Sequence, residues 1–307
     1  MLRRAARPIL FVAFLVVLAA ATRAQPSHEG APNARTHGQK LQLQTKRASP
    51  LDLEVAGHLA GLPPEARRYL RREDLLAFAP ASFTVKDDPN FGIPVQVRGV
   101  ELRFLVRELS GAGDQTVLVA ICKDWYRGYF PPAYLEAHQP VLALEINGQP
   151  PSGWPNRGGL SGPSMVPYLI THPDFTPSFK ILAHEDEAQI PWGIVRVEFW
   201  DEKRAFEAIA PRGARAGDPA VQAGYRIAQQ NCLRCHGPEG LGPLKGKLIW
   251  EGIGLFAAQA PKNFAAYVRN PQALNRDSEM PPNPGYDDAT LEALISYFQI
   301  FSSPVKQ

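Results

Sequence analysis

The feature that most constrains this chain is the pentapeptide Cys232-Leu233-Arg234-Cys235-His236. Two thiols about one helical turn apart can add to the two vinyl groups of one haem. A histidine immediately after the second thiol then lies under the iron. C-x-x-C-H is the c-type haem attachment signature. A zinc site needs four ligands, and here only the distant Cys122 and scattered histidines could add to the pair. A thioredoxin-like dithiol follows a strand of a βαβ unit, whereas this motif follows a predicted helix. One covalent haem c is therefore the expected cofactor.

Covalent haem attachment requires export, and the N-terminus carries an export signal. Arg3, Arg4 and Arg7 precede an apolar run from Ile9 to Ala21, and small residues lead to Ala24. Residues 1–24 read as a secretory signal cleaved after Ala24, giving a periplasmic or otherwise exported protein. The 13-residue run is short beside the roughly 20 residues of a membrane-spanning helix, so an uncleaved anchor is the alternative. After cleavage no membrane insertion is expected. The signal also explains the formal charge of +3: it holds four arginines and no acid, so 29 basic and 30 acidic residues remain. That balance excludes a nucleic-acid partner. Three cysteines exclude a disulfide framework, and the length of 307 residues leaves room for two domains of about 150 residues each.

Residues 25–49 are polar, rich in Gly, Pro and Gln, and read as a disordered tether. Residues 50–210 read as a β-rich α+β domain. A helix opened by Pro64 is expected over 64–79, a short helix in VELRFLVREL, and strands at 82–86, 93–98, 116–121, 141–146, 165–170 and 194–200. Asn147-Gly148 marks a turn, and DEKRAFEAIA a closing helix. Residues 211–217 form a linker into a small all-α domain, 218–307. There Asp218 caps a helix with Pro219 at its first position. Asp287 or Asp288 caps the last helix, which carries a stripe of Leu291, Leu294, Ile295 and Phe298.

Met280, in RDSEMPPNPGY, lies 44 residues after His236 and is the expected second axial ligand. His/Met ligation raises the reduction potential, as suits an electron carrier. Met165 precedes an apolar strand and is expected in the core. His172 and His184 are ligands on paper only. Cys122, the thiol left over, reads as a buried small hydrophobe. Core packing is also the reading for Trp125, Tyr126, Tyr129 and Phe130, and a solvated loop for Asp186 and Glu187.

Residues 218 to about 303 resemble a class I monohaem cytochrome c domain. Gly224-Tyr225 look like the pair that meets the C-terminal helix in that family, with Leu294 and Tyr297 as partners. Pro243 resembles the proline whose carbonyl accepts the hydrogen bond of the proximal histidine, orienting His236. KNFAAYVRNP (262–271) resembles the helix before the methionine loop. Residues from about 65 to 200 resemble the molybdopterin-binding fold of sulfite-oxidase-like proteins through LRREDLLAF, VRGVELRFLVREL, AICKDWYRGYFPPAYL, PVLALEINGQPP and IPWGIVRVEF. The molybdenum-binding cysteine of that family has no counterpart in FTVKDDPNF (83–91), and GGLSGPSMVPYL lacks the expected arginine. The resemblance thus implies the fold without the molybdenum cofactor.

The expected function is electron transfer with a redox protein or a membrane respiratory complex, without a catalytic residue. Two alternatives stay open: a molybdenum oxidoreductase of sulfite-dehydrogenase type passing electrons to its own haem, and a haem sensor in which a small ligand displaces Met280.

Overall fold

The structure, a computed structural model, describes residues 40–78, 81–86, 88–154, 165–173, 187–238 and 245–302. Short β-branched and aromatic runs broken by Gly and Pro build two sheets. In the first, β1 (Leu53–Gly57), β2 (Arg68–Leu70), β5 (Thr116–Cys122), β6 (Arg127–Phe130) and β9 (Ile194–Asp201) lie in the order β2-β1-β9-β5-β6. All pairings there are antiparallel except β1 with β9. In the second, β3 (Ala81–Val85), β4 (Val95–Glu101), β7 (Val141–Ile146) and β8 (Leu169–Thr171) form an antiparallel sheet in chain order. Helices α1 (Arg72–Ala77), α2 (Leu102–Leu109) and α3 (Pro132–His138) contribute Leu75, Leu105 and Leu135 to a core shared by both sheets. The second sheet buries its other face in a smaller cluster that contains Met165, as expected.

β5 decides how the chain is organised, because it is buried along its whole length. Side chains alternate across a strand. Leu118, Ala120 and Cys122 therefore face the two-sheet core, while Val117, Val119 and Ile121 join Tyr129 in a second cluster with the helical region. Phe206, on α4 (Glu202–Phe206), and Ile209, in the 3₁₀ turn Glu207–Ile209, enter the same cluster.

The helical region consists of α5 (Pro219–Asn231), α6 (Trp250–Gln259), α7 (Pro261–Arg269), α8 (Pro271–Leu274) and α9 (Asp288–Gln299). The expected caps form: Asp218 accepts from Ala220 N–H, and Asp287 from Thr290 N–H. Each satisfies an amide that a helix leaves without an internal partner. α5 and α9 cross at Gly224, where a β-carbon would strike the backbone of Ala293 and Cβ of Tyr297. Tyr225 and Tyr297 have ring centroids 5.7 Å apart. The atoms nearest Gly224 at the crossing belong to Ala293 and Tyr297, and Leu294 also lines the cavity described below.

Three local expectations need correction. The helix expected over 64–79 is confined to α1, because Arg68–Leu70 pairs with β1. The strand expected at 165–170 forms only as β8. Residues 40–49, expected in the tether, lie on the sheet region: Gln44 and Tyr69 exchange two backbone hydrogen bonds of 2.9 Å, and Leu41 and Leu43 pack on its core. Residues 1–39, with the signal segment, lie outside the described residues. The connection at 211–217 runs over the helical region, with the Arg212 guanidinium 4.6 Å from the Phe301 ring centroid. No helix among the described residues is long and apolar enough to cross a membrane.

Candidate haem site

α5 delivers the motif. Cys232 N–H donates to Ala228 O (2.8 Å), and His236 N–H to Cys232 O (2.9 Å). The helical path thus continues past α5 and sets Cys232 and Cys235 one turn apart. Both thiols, the His236 ring and Met280 line one cavity of about 470 Å³. Its wall is dominated by apolar side chains, among them Ile253, Phe256, Phe264, Val268, Leu294 and Phe298. The site residues named from sequence, Pro243 excepted, therefore meet at one place. A large apolar cavity with two thiols, an imidazole and a thioether converging on it fits a haem joined through both cysteines.

His236 is oriented through Nδ1, which donates to Leu248 O at 2.7 Å. The carbonyl expected in this role was that of Pro243, which lies outside the described residues. This contact leaves Nε2 as the nitrogen that can bind a metal. Burial lowers the imidazole pKa, with the Leu248 contact acting the other way. The neutral ring, the form that ligates iron, is favoured. Gly246 completes the support: its N–H donates to Cys235 O (2.7 Å), and a β-carbon there would collide with the His236 ring.

Met280 is held by the loop around it. Gln272 Nε2 donates to both Ser278 O and Met280 O at 2.9 Å, and Tyr267 OH meets Ser278 Oγ at 2.8 Å. Asn283 Nδ2 ties the loop to Val268 O (3.0 Å).

Some wall residues were not expected. Tyr126, in the turn between β5 and β6, and Glu187 reach the cavity from the sheet region, and Arg234 reaches it from within the motif. Burial pushes the Tyr126 phenol up to about 12, against the lowering effect of Arg234. Tyr129 and Phe130 pack in the two clusters, as expected, while Trp125 is half exposed with φ +69°. Glu187 belongs to the cavity wall and not to a solvated loop, and Asp186 lies outside the described residues. The signal missed in sequence was the turn itself: Asp124 Oδ1 accepts from Tyr126 N–H and Oδ2 pairs with Lys245.

His172 and Cys122 lie away from this cavity. His172 is buried and its Nε2 meets Tyr134 OH at 3.0 Å. His184 lies outside the described residues. Cys122 is in the two-sheet core, as expected, and burial followed by the charge of Asp124 raises its pKa.

Residues 219–298 match the family model for cytochrome c oxidase, cbb3-type, subunit III. The chain is 26% identical over 127 residues to cytochrome c oxidase subunit 2 of Alkalihalophilus pseudofirmus, covering 39% of this chain and 33% of that protein. It therefore spans about a third of the length of the curated relative it matches. Among solved structures it is similar to the sulfane dehydrogenase SoxCD from Paracoccus pantotrophus, with a TM-score of 0.32 and 16% identity over 51% of this chain and 40% of that one. The C-terminal region is a cytochrome c-type domain, which implies haem-based electron transfer, and the architecture is mixed α+β.

Proposed function

We propose that this protein is an exported electron carrier with one covalent haem c, attached through Cys232 and Cys235 and ligated by His236 and Met280. The observation that carries the reading is that Met280, 44 residues from His236, lines the same cavity as the motif. Haem, when bound, supplies one-electron chemistry by cycling between ferric and ferrous iron. The protein's part is to hold and shield. Leu248 O fixes the His236 tautomer. Gln272 holds the backbone on which Met280 is presented. The apolar wall excludes water, which favours the reduced form, whose iron–porphyrin unit carries no net charge.

Residues 1–24 act as the signal, so the working compartment is outside the cytoplasm. The partner is a redox protein or a membrane respiratory complex, a reading favoured by the likeness to oxidase subunits. The sheet region carries no molybdenum in this proposal, because its one thiol, Cys122, faces the apolar core with Leu118 and Ala120.

Haem staining after denaturing electrophoresis, metal analysis and the absorption spectrum of the reduced protein test the proposal together. One iron per chain is expected, with haem that stays bound in the wild type and is lost from the Cys232→Ala, Cys235→Ala double variant. Haem retained through the gel by that variant would sink the attachment. Molybdenum at one per chain would make the protein an oxidoreductase, and ready carbon monoxide binding would make it a sensor.

A further inference from the structure

We propose that the turn between β5 and β6 is where the redox partner docks, with Trp125 as its anchor, so that the sheet region presents the haem of the helical region to an acidic electron-transfer protein. This rests on the haem reading above and concerns where the electron enters or leaves.

Trp125 carries two costs that nothing within the chain offsets. Its side chain is 48% exposed, and its φ of +69° lies in the left-handed region that a bulky residue rarely enters. A glycine would take this backbone without strain and would expose no apolar surface. Trp125 is not among the residues that line the cavity, so haem does not cover it. A large aromatic side chain kept at an exposed and strained turn position points to a partner outside the chain.

The turn is held firmly against the haem motif. Trp125 N–H donates to Cys122 O (3.1 Å), and Cys122 N–H donates to Tyr126 O (2.9 Å), which closes the hairpin. Asp124 Oδ1 accepts from Tyr126 N–H at 3.2 Å, Oδ2 pairs with Lys245, and Arg127 N–H donates to Arg234 O at 2.9 Å. Trp125 therefore stands one residue from Tyr126 of the cavity wall, on a backbone tied to the motif. Beyond the Asp124–Lys245 contact, Leu248 and Ile249 are 48% and 47% exposed. Leu248 also lines the cavity, so on this side one side chain reaches both haem site and solvent.

The charge around these apolar residues sets the chemistry of the partner. Lys123, Lys245 and Lys247 are exposed beside them. Against these stand Asp124, paired with Lys245, and Glu279, which is close enough to act on Lys245. The rim keeps a positive excess, which fits a protein with an apolar centre and an acidic rim. Exchange there moves one electron and no atom: ferrous haem becomes ferric as the partner's one-electron centre is reduced.

The test uses the full-length haem-loaded protein, reduced and then oxidised in stopped flow by one of two probes. Plant plastocyanin is an acidic copper protein, and ferricyanide is a small ion that needs no protein-sized surface. Trp125→Gly should lower the second-order rate constant with plastocyanin about tenfold, the loss of an anchor residue. Trp125→Phe should recover part of it. The ferricyanide rate, the potential and the absorption spectrum of Trp125→Gly should match the wild type, and its denaturant midpoint should not fall, because glycine relieves the turn. The Lys123→Glu, Lys247→Glu double variant should slow plastocyanin and weaken the salt dependence of its rate. An unchanged plastocyanin rate in Trp125→Gly overturns the docking site, and equal slowing with both probes overturns it by making Trp125 a structural support. A plastocyanin rate indifferent to the lysines overturns the acidic partner. A wild-type dimer in sedimentation that Trp125→Gly dissolves would give the patch to a second copy of this chain and overturn the proposal. A wild-type protein without covalent haem removes the underlying reading instead.

Discussion

Gly246 sets how closely its loop can approach His236, because the space a β-carbon would need is taken by the imidazole ring and Cys235 O. Gly246→Ala must push the ring or the loop away, and the Leu248 contact that fixes the ring goes with it. Overpacking of this kind costs about 1–3 kcal/mol. The expected outcome is a lower denaturant midpoint together with a changed absorption spectrum of the reduced protein. A variant matching the wild type in both would show that the loop yields at no cost. His172 offers a prediction in pH. Burial, followed by the charge of His138, holds its pKa down to about 3 against an ordinary value of 6.5. Between those values the unfolded chain binds a proton that the folded one does not, so stability is full above about pH 6.5 and falls as pH drops toward 3. One proton is worth about 1.4 kcal/mol per pH unit. His172→Gln should flatten the dependence of unfolding free energy on pH by up to that slope, and parallel curves would refute the assignment. Cys232, Cys235, His236 and Met280 could be read from the sequence because each has chemistry tied to a spacing or to its rarity. Leu248 could not, since its contribution is a backbone carbonyl and any residue has one.

At the scale of elements, the crossing of α5 and α9 separates the effect of a cap from that of a close approach. Asp218 satisfies one amide at the start of α5, and Asp218→Ala should cost about 1 kcal/mol. Gly224 admits the backbone of Ala293, so Gly224→Val should cost more, about 1–3 kcal/mol or above, because two helices must separate. Thermal unfolding of the two variants should rank them in that order, and the reverse order would place the crossing elsewhere. The elements anticipated from sequence are those with a long period or a punctuated end. α5 and α9 carry caps, and Asn147-Gly148 takes the positive φ angles its turn requires. β1, β2 and β6 were missed. Each has five residues or fewer, too few for a pattern, and their strand geometry is set by the neighbour that pairs with them. Arg68–Leu70 illustrates this, since its apolar spacing suits a helix while β1 recruits it as an edge strand.

At the scale of the molecule, the α+β and helical regions, read from sequence as two domains joined by a linker, pack against each other in one compact unit. The sequence of β5 holds the reason. A strand with one solvated face alternates apolar and polar residues, but TVLVAIC is apolar almost throughout, as in strands covered on both sides. The helical region is that second cover: Val117, Val119 and Ile121 lie in one cluster with Trp250, Leu294 and Phe298. Polar contacts reinforce the junction, with Tyr297 OH donating to Ile209 O at 2.6 Å and Gln189 Nε2 to Gln230 O at 2.9 Å. The two regions should therefore unfold together. Val119→Asp places an unpaired carboxylate in that cluster, at a cost of several kcal/mol if it stays charged. In the haem-loaded protein, heat unfolding followed by haem absorption and by far-ultraviolet circular dichroism should give coincident transitions in the wild type. In the variant both should move to lower temperature together. A haem transition that stays in place while the sheet signal falls would mean that the cytochrome domain stands alone and that the apolar second face of β5 has another purpose.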